Sequence, residues 1–181
     1  AAKNRAASQL VCFLGAGAYD HFLPPVVDQL VQRGELYTAY TPYQPEISQG
    51  ILQLIYEYQT MLASLCGSDV SNASLYDGAT ALSESCQMAL RHTGRGEIVM
   101  DGAIHPHYIQ TARTALHAQA AGLRVIAPAA SECRSALGAL AAGVDEKTAA
   151  VAIGCPNFYG AIDDLTPLAD AAHRAGALLI A

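Results

Sequence analysis

Apolar residues recur at Ile51, Leu54, Ile55, Tyr58, Met61, Leu62 and Leu65. Steps of three and four place them on one face of an amphipathic helix over 47–66, closed by Gly67. A second helix is expected from Asp77 or Gly78 to about Arg91, ended by His92 and Gly94. The pattern then changes: short apolar runs at 98–100, 124–127, 149–153 and 177–181 alternate with helical stretches near 106–121, 131–142 and 163–175. Strands separated by helices need crossover connections. That predicts an α/β fold, a mostly parallel sheet with helices on both faces.

The first part of the chain reads differently. A glycine-containing turn is expected over 13–19, and Pro24 and Pro25 sit where a helix over 26–32 would begin. The segment 37–50 follows, with Tyr37, Tyr40, Tyr43, Gln44 and Glu46 set among Pro42 and Pro45. Those prolines fix φ, remove backbone donors and push Thr41 and Gln44 towards extended conformations. A rigid, irregular arm presenting phenol and amide groups is expected, a common setting for binding chemistry. This divides the chain into a lead and arm over 1–46 and an α/β unit over 47–181.

At 181 residues the chain is long enough for one buried core. Its net charge of −6, with no cluster of Lys and Arg, argues against a nucleic-acid partner. No apolar stretch approaches the roughly 18 residues that a membrane span needs, and the first residues do not resemble a secretory signal, so a cytoplasmic protein is expected. The five cysteines are scattered and never in CxxC spacing, a pattern of reduced thiols rather than of disulfides or zinc. Cys155, beside Pro156, is expected as a small buried hydrophobe rather than a reactive thiol. His105 and His107 lack the further ligands a metal site needs, so no metal is expected.

Asp77-Gly78-Ala79-Thr80 leads directly into a helix. Free amides and the helix dipole favour an anion there, with Gly78 and Ala79 open to close approach and Thr80 adding a hydroxyl. The carboxylate of Asp77 competes with such an anion and also suits a plain N-cap; both readings stand. His105, after the first strand, is either a packed strand-end residue or a site residue. Asn157 and Gly160 form either a simple turn or part of a site.

The wording of 37–50, together with Asn72-Ala-Ser-Leu-Tyr-Asp-Gly-Ala-Thr-Ala-Leu-Ser-Glu84, resembles the amino-terminal half of the glycine cleavage system P-protein, subunit 1 (alpha) of its two-subunit form. The likeness runs from about Phe13 to Ala181 and is densest between Tyr37 and Glu84. The resemblance implies the large domain of a fold-type I pyridoxal phosphate enzyme, incomplete here. It implies a glycine dehydrogenase (decarboxylating): glycine is bound as an imine on pyridoxal phosphate, CO2 leaves, and the aminomethyl group passes to the lipoyl arm of H-protein. The implied partners are the beta subunit, in a heterodimer or heterotetramer, lipoylated H-protein, and the T- and L-proteins of the same system.

The resemblance also implies site roles. The Asp77–Thr80 turn matches a cofactor-phosphate site, degenerate in the alpha subunit. His105 matches the residue that stacks on the pyridine ring in the cofactor-bearing half, and Asn157 lies in the loop beside that ring. Tyr40, Tyr43, Gln44 and Glu46 are the groups expected to face substrate or an interface. A Schiff base needs a lysine; the lysines are Lys3 and Lys147, neither expected at that place. No residue of this chain is therefore assigned as catalytic, the beta subunit is expected to hold the cofactor, and the isolated chain is expected to be inactive. The terminal apolar run is expected to be part of a sheet that continues in a longer protein. Two other readings remain: a purely structural partner of the beta subunit, and a fragment of another fold-type I enzyme.

Overall fold

The structure, a computed structural model, describes residues 4–6, 9–11, 13, 21–37, 40–129 and 133–181. It divides into two compact units, Ala1–Ser74 and Leu75–Ala181. This division by contacts falls at 74/75, whereas the sequence reading separates a lead and arm over 1–46 from 47–181. The long amphipathic helix groups with the arm and not with the α/β unit. Its periodicity specified a face to be covered, but not what covers it.

In the first unit, Pro24 and Pro25 open α1 (Pro25–Val31), and a short α2 (Gly34–Tyr37) follows. Tyr37 thus ends a helix instead of beginning the irregular arm. Its amide and that of Leu36 bond back to the Arg33 carbonyl, local pairing that periodicity over so short a span does not reveal. The arm proper covers 40–48, with a turn closed by Ile47 N–H on the Gln44 carbonyl and Ser48 N–H on the Pro45 carbonyl. Then comes α3 (Gln49–Cys66), stopped by Gly67 at φ 67°, a conformation glycine adopts without steric cost. Ile51, Ile55 and Leu62 are half-buried along one side of α3, and none of the described residues of this unit is fully buried.

The second unit is the α/β fold. Its elements are α4 (Gly78–Thr93), β1 (Glu97–Asp101), α5 (Pro106–His117), β2 (Gly122–Ile126), α6 (Leu137–Ala142), β3 (Thr148–Ala152), α7 (Thr166–Arg174) and β4 (Leu178–Ile180). The four strands pair in the order β2-β1-β3-β4, every pair parallel. Side chains alternate across β1 and β3. Ile98, Met100, Ala150 and Ala152 pack with Cys86, Ala89 and Leu116 on one face. Val99, Val151 and Ile153 pack with Leu140, Leu168 and Ala172 on the other. The sheet is therefore covered on both faces, and its two central strands are almost wholly buried. The alanines of β3 and the small residues Ala79, Ser83, Cys86 and Ala89 of α4 let that helix lie close against the sheet.

Two helices are shorter than their patterns predict. Ala120 turns left-handed at φ 54° and ends the α5 region early. Ahead of α6, Arg134 pairs with Ala129 as a β-bridge and Ser135 bonds to Asp101, so tertiary partners hold that backbone out of the helix. None of the described helices is long and apolar enough to cross a membrane.

Leu140 is fully buried, so Leu140→Ala should cost about 2–5 kcal/mol in denaturant unfolding. Ala89→Leu should cost about 1–3 kcal/mol by overpacking the close α4–sheet contact. Near-zero effects of both would contradict this core.

Candidate functional site

All four strands run the same way, so their carboxyl ends share one edge. From β1 the chain crosses by α5 to β2 on one side; from β3 it crosses by α7 to β4 on the other. The sheet order reverses between β1 and β3, and a crevice outside those carboxyl ends is the usual ligand position in open α/β sheets.

The loops after β1 and β3 meet there. The amide of Phe158 donates to the Ala103 carbonyl at 2.8 Å. Asn157 is buried, donating through Nδ2 to the Cys133 carbonyl at 3.2 Å while Oδ1 accepts the amides of Tyr159 and Ala161, each at 3.0 Å. Asp101, fully buried at the end of β1, accepts the Ala103 amide at 3.0 Å and the Ser135 hydroxyl. Arg134 reaches across to the Asp163 carboxylate at 2.8 Å. The loops at this edge are thus tied to one another by side chains. Asn157 spends both ends of its amide on loop backbone.

The four residues 77–80 sit at the amino end of α4. Asp77 is the N-cap, its Oδ1 accepting the Thr80 amide at 2.7 Å. That backbone bond, with the Thr80 side chain, holds its carboxyl below the usual aspartate range. Gly78 opens the helix, and Ala79 is buried against the core. A methyl group on Gly78 would meet the Tyr108 hydroxyl oxygen at 2.5 Å and its Cε2 and Cζ at 2.9 Å.

His105 caps α5, its Nδ1 accepting the His107 amide at 3.1 Å. Its ring stacks on Tyr108, with centroids 5.1 Å apart and planes at 30°, and meets Phe158 edge-on at 4.9 Å. Tyr108 also helps to line a cavity of about 270 Å³, with Gly78, Ile104, Ile153 and Gly154. The structure therefore brings 77–80, His105 and Asn157 to one region of the second unit. Tyr108, Asp101 and Phe158 were not anticipated. Tyr108 left a signal: three residues after His105 at a helix start, it shares a face with it.

Among the described residues, no lysine lies at this crevice. Lys147 stands at the opposite edge, its amide on Asp145 and its carbonyl accepting the Glu97 amide where β1 begins; Lys3 lies outside the described residues. Cys155, expected buried, is exposed, with Sγ 3.7 Å from the Asp163 carbonyl oxygen. It lies in the irregular loop after β3 rather than under a helix. Among the described residues Cys86 is the buried thiol, and burial pushes it up to about 11. Cys12 and most of the expected turn at 13–19 lie outside the described residues.

Tyr40, Tyr43, Gln44 and Glu46 belong to the first unit and are all exposed, the two tyrosines at 90% and 78%. The Tyr43 amide bonds to the Thr41 carbonyl at 2.8 Å, bending the arm between its prolines. Tyr40, Thr41 and Pro42 line one side of a groove of about 570 Å³ that Ile51, Leu54 and Ile55 of α3 complete.

A model of the family "Glycine cleavage system P-protein" matches residues 1–181. A probable glycine dehydrogenase (decarboxylating) subunit 1 of Sorangium cellulosum is 48% identical over 99% of this chain and 40% of its own length. The protein of the same name in an Anaeromyxobacter species is 52% identical over 93% of this chain and 38% of its own. Among solved structures, an inhibitor-bound glycine decarboxylase (P-protein) of the glycine cleavage system superposes with a TM-score of 0.85 at 47% identity, covering 96% of this chain and 39% of that one. The chain thus spans about two fifths of the length of these relatives.

The lowered Asp77 carboxyl has a sign that can be tested. A group lowered on folding stabilises above its ordinary range and loses that contribution as pH falls through its folded value. Asp77→Asn, which keeps a cap acceptor, should melt below the native chain at neutral pH. The gap should close in acid, as read by melting temperature against pH. A gap independent of pH would refute the charged cap.

Proposed function

The chain belongs to the glycine cleavage system P-protein family, and on that premise we propose that it is the amino-terminal part of subunit 1 of a two-subunit glycine dehydrogenase (decarboxylating). The family is generally pyridoxal-phosphate dependent. In this reading the partner (beta) subunit holds the cofactor and supplies the lysine. The assembled enzyme releases CO2 from glycine and passes the aminomethyl group to the lipoyl arm of H-protein, in concert with the T- and L-proteins, in the cytoplasm. The match along the whole chain to relatives named subunit 1 carries the reading.

The contribution of this chain is then the arm. Tyr40, Tyr43, Gln44 and Glu46 stand exposed on a backbone fixed by Pro42 and Pro45 and by the turn over 44–47. Preorganisation of this kind reduces the ordering entropy lost when substrate or a partner arrives. Phenol and amide groups suit a small zwitterion whose carboxylate is bound and then released. In this reading they reach the glycine pocket or the lipoyl channel across the subunit interface. The tied loops of the second unit favour a second reading, in which this half only buttresses its partner.

Tyr43→Phe in the assembled enzyme separates the two readings. Loss of one hydrogen bond to a charged group, worth about 1.5–3 kcal/mol, should lower turnover about ten- to hundredfold with assembly intact. A change below about twofold for Tyr40→Phe and Tyr43→Phe alike would leave the buttress as the better account.

A further inference from the structure

We propose that Tyr108 narrows the crevice of this chain, beside the cavity of about 270 Å³ that it helps to line: its ring lies against His105 and its hydroxyl against the first residue of α4, the two places that the family resemblance assigns to a pyridine ring and its phosphate. Tyr108 is then the residue that sets this half against phosphate-bearing cofactors. The proposal rests on the subunit reading only in taking this crevice as the counterpart of a cofactor site.

Space, stacking and charge support it separately. Tyr108 reaches the backbone of α4 where Gly78 has no side chain; a methyl there would lie 2.5 Å from the phenolic oxygen, so the tyrosine would have to shift. The φ of Gly78 lies outside the left-handed region, so the backbone conformation there does not call for glycine, which costs a helix roughly 1 kcal/mol relative to alanine elsewhere. Close approach of the tyrosine is what the glycine permits. The same ring stacks on His105 at 5.1 Å, and Phe158 meets that histidine edge-on. His105 thus already has aromatic neighbours of its own. Asp77 adds an electrostatic obstacle, taking the Thr80 amide and placing a negative charge where a phosphate would bring more.

The test uses inorganic phosphate and the full-length chain, with thermal unfolding as the readout. Neither needs glycine turnover, so failure here is separable from failure of the subunit reading. Phosphate should leave the native chain and Tyr108→Phe unshifted, because each retains the ring. It should give Tyr108→Ala combined with Asp77→Ser a saturable rise of a few degrees. Phosphate protecting the native chain as well as the double variant overturns the proposal, and so does a double variant that phosphate does not protect. A mutant cycle gives a second check should that variant fail to fold. Gly78→Ala should lower the melting temperature of the native chain and lose less in a Tyr108→Leu background. Equal losses in both backgrounds overturn the interlock.

Discussion

Burial of β1 and β3 on both faces is the constraint from which the rest of the second unit follows. A strand with apolar residues on both sides needs a helix layer above and below. Parallel pairing supplies both, because each return to the sheet requires a crossover. The four carboxyl ends therefore come to one edge, and a crevice opens where the crossovers diverge. Alanine in β3 and small residues on α4 set how closely that helix lies. Through that contact they also place the amino end of α4 beside the crevice.

Side chains tie the loops of the edge so formed to one another. Asp101, Ser135, Asn157 and Arg134 bind loop to loop, while Tyr108 and His105 occupy each other's faces. Buried polar groups of this kind specify geometry when fully satisfied and are costly when half satisfied. Among the described residues, no buried side-chain nitrogen or oxygen lacks a partner. The first unit is held differently. Its described residues include none that is fully buried, and large apolar side chains such as Phe22, Ile47 and Leu65 stand in solvent. The second unit has a buried core; the described part of the first presents apolar and phenolic groups outward. That contrast is what the proposed division between a packed half-site and a reaching arm rests on.

Periodicity and capping chemistry determined much of this without any structure. The 3.6-residue pattern and Gly67 gave α3, Asp77 and Gly94 gave α4, and the alternation of short apolar runs with helices gave a parallel α/β sheet with all four strands nearly in place. These signals are local: a cap bonds within its own turn, and a buried strand announces itself by composition. What lay beyond them was decided between residues far apart in sequence. Ser135 is held out of a helix by Asp101, Asn157 is spent on the Cys133 carbonyl, and α3 groups with the arm. The meaning of Gly78 is the clearest case. The sequence offered an open approach for an anion, and the tertiary structure fills that space with the ring of a tyrosine thirty positions on. A glycine in the sequence records only that something must come close, and which group does so is settled by packing.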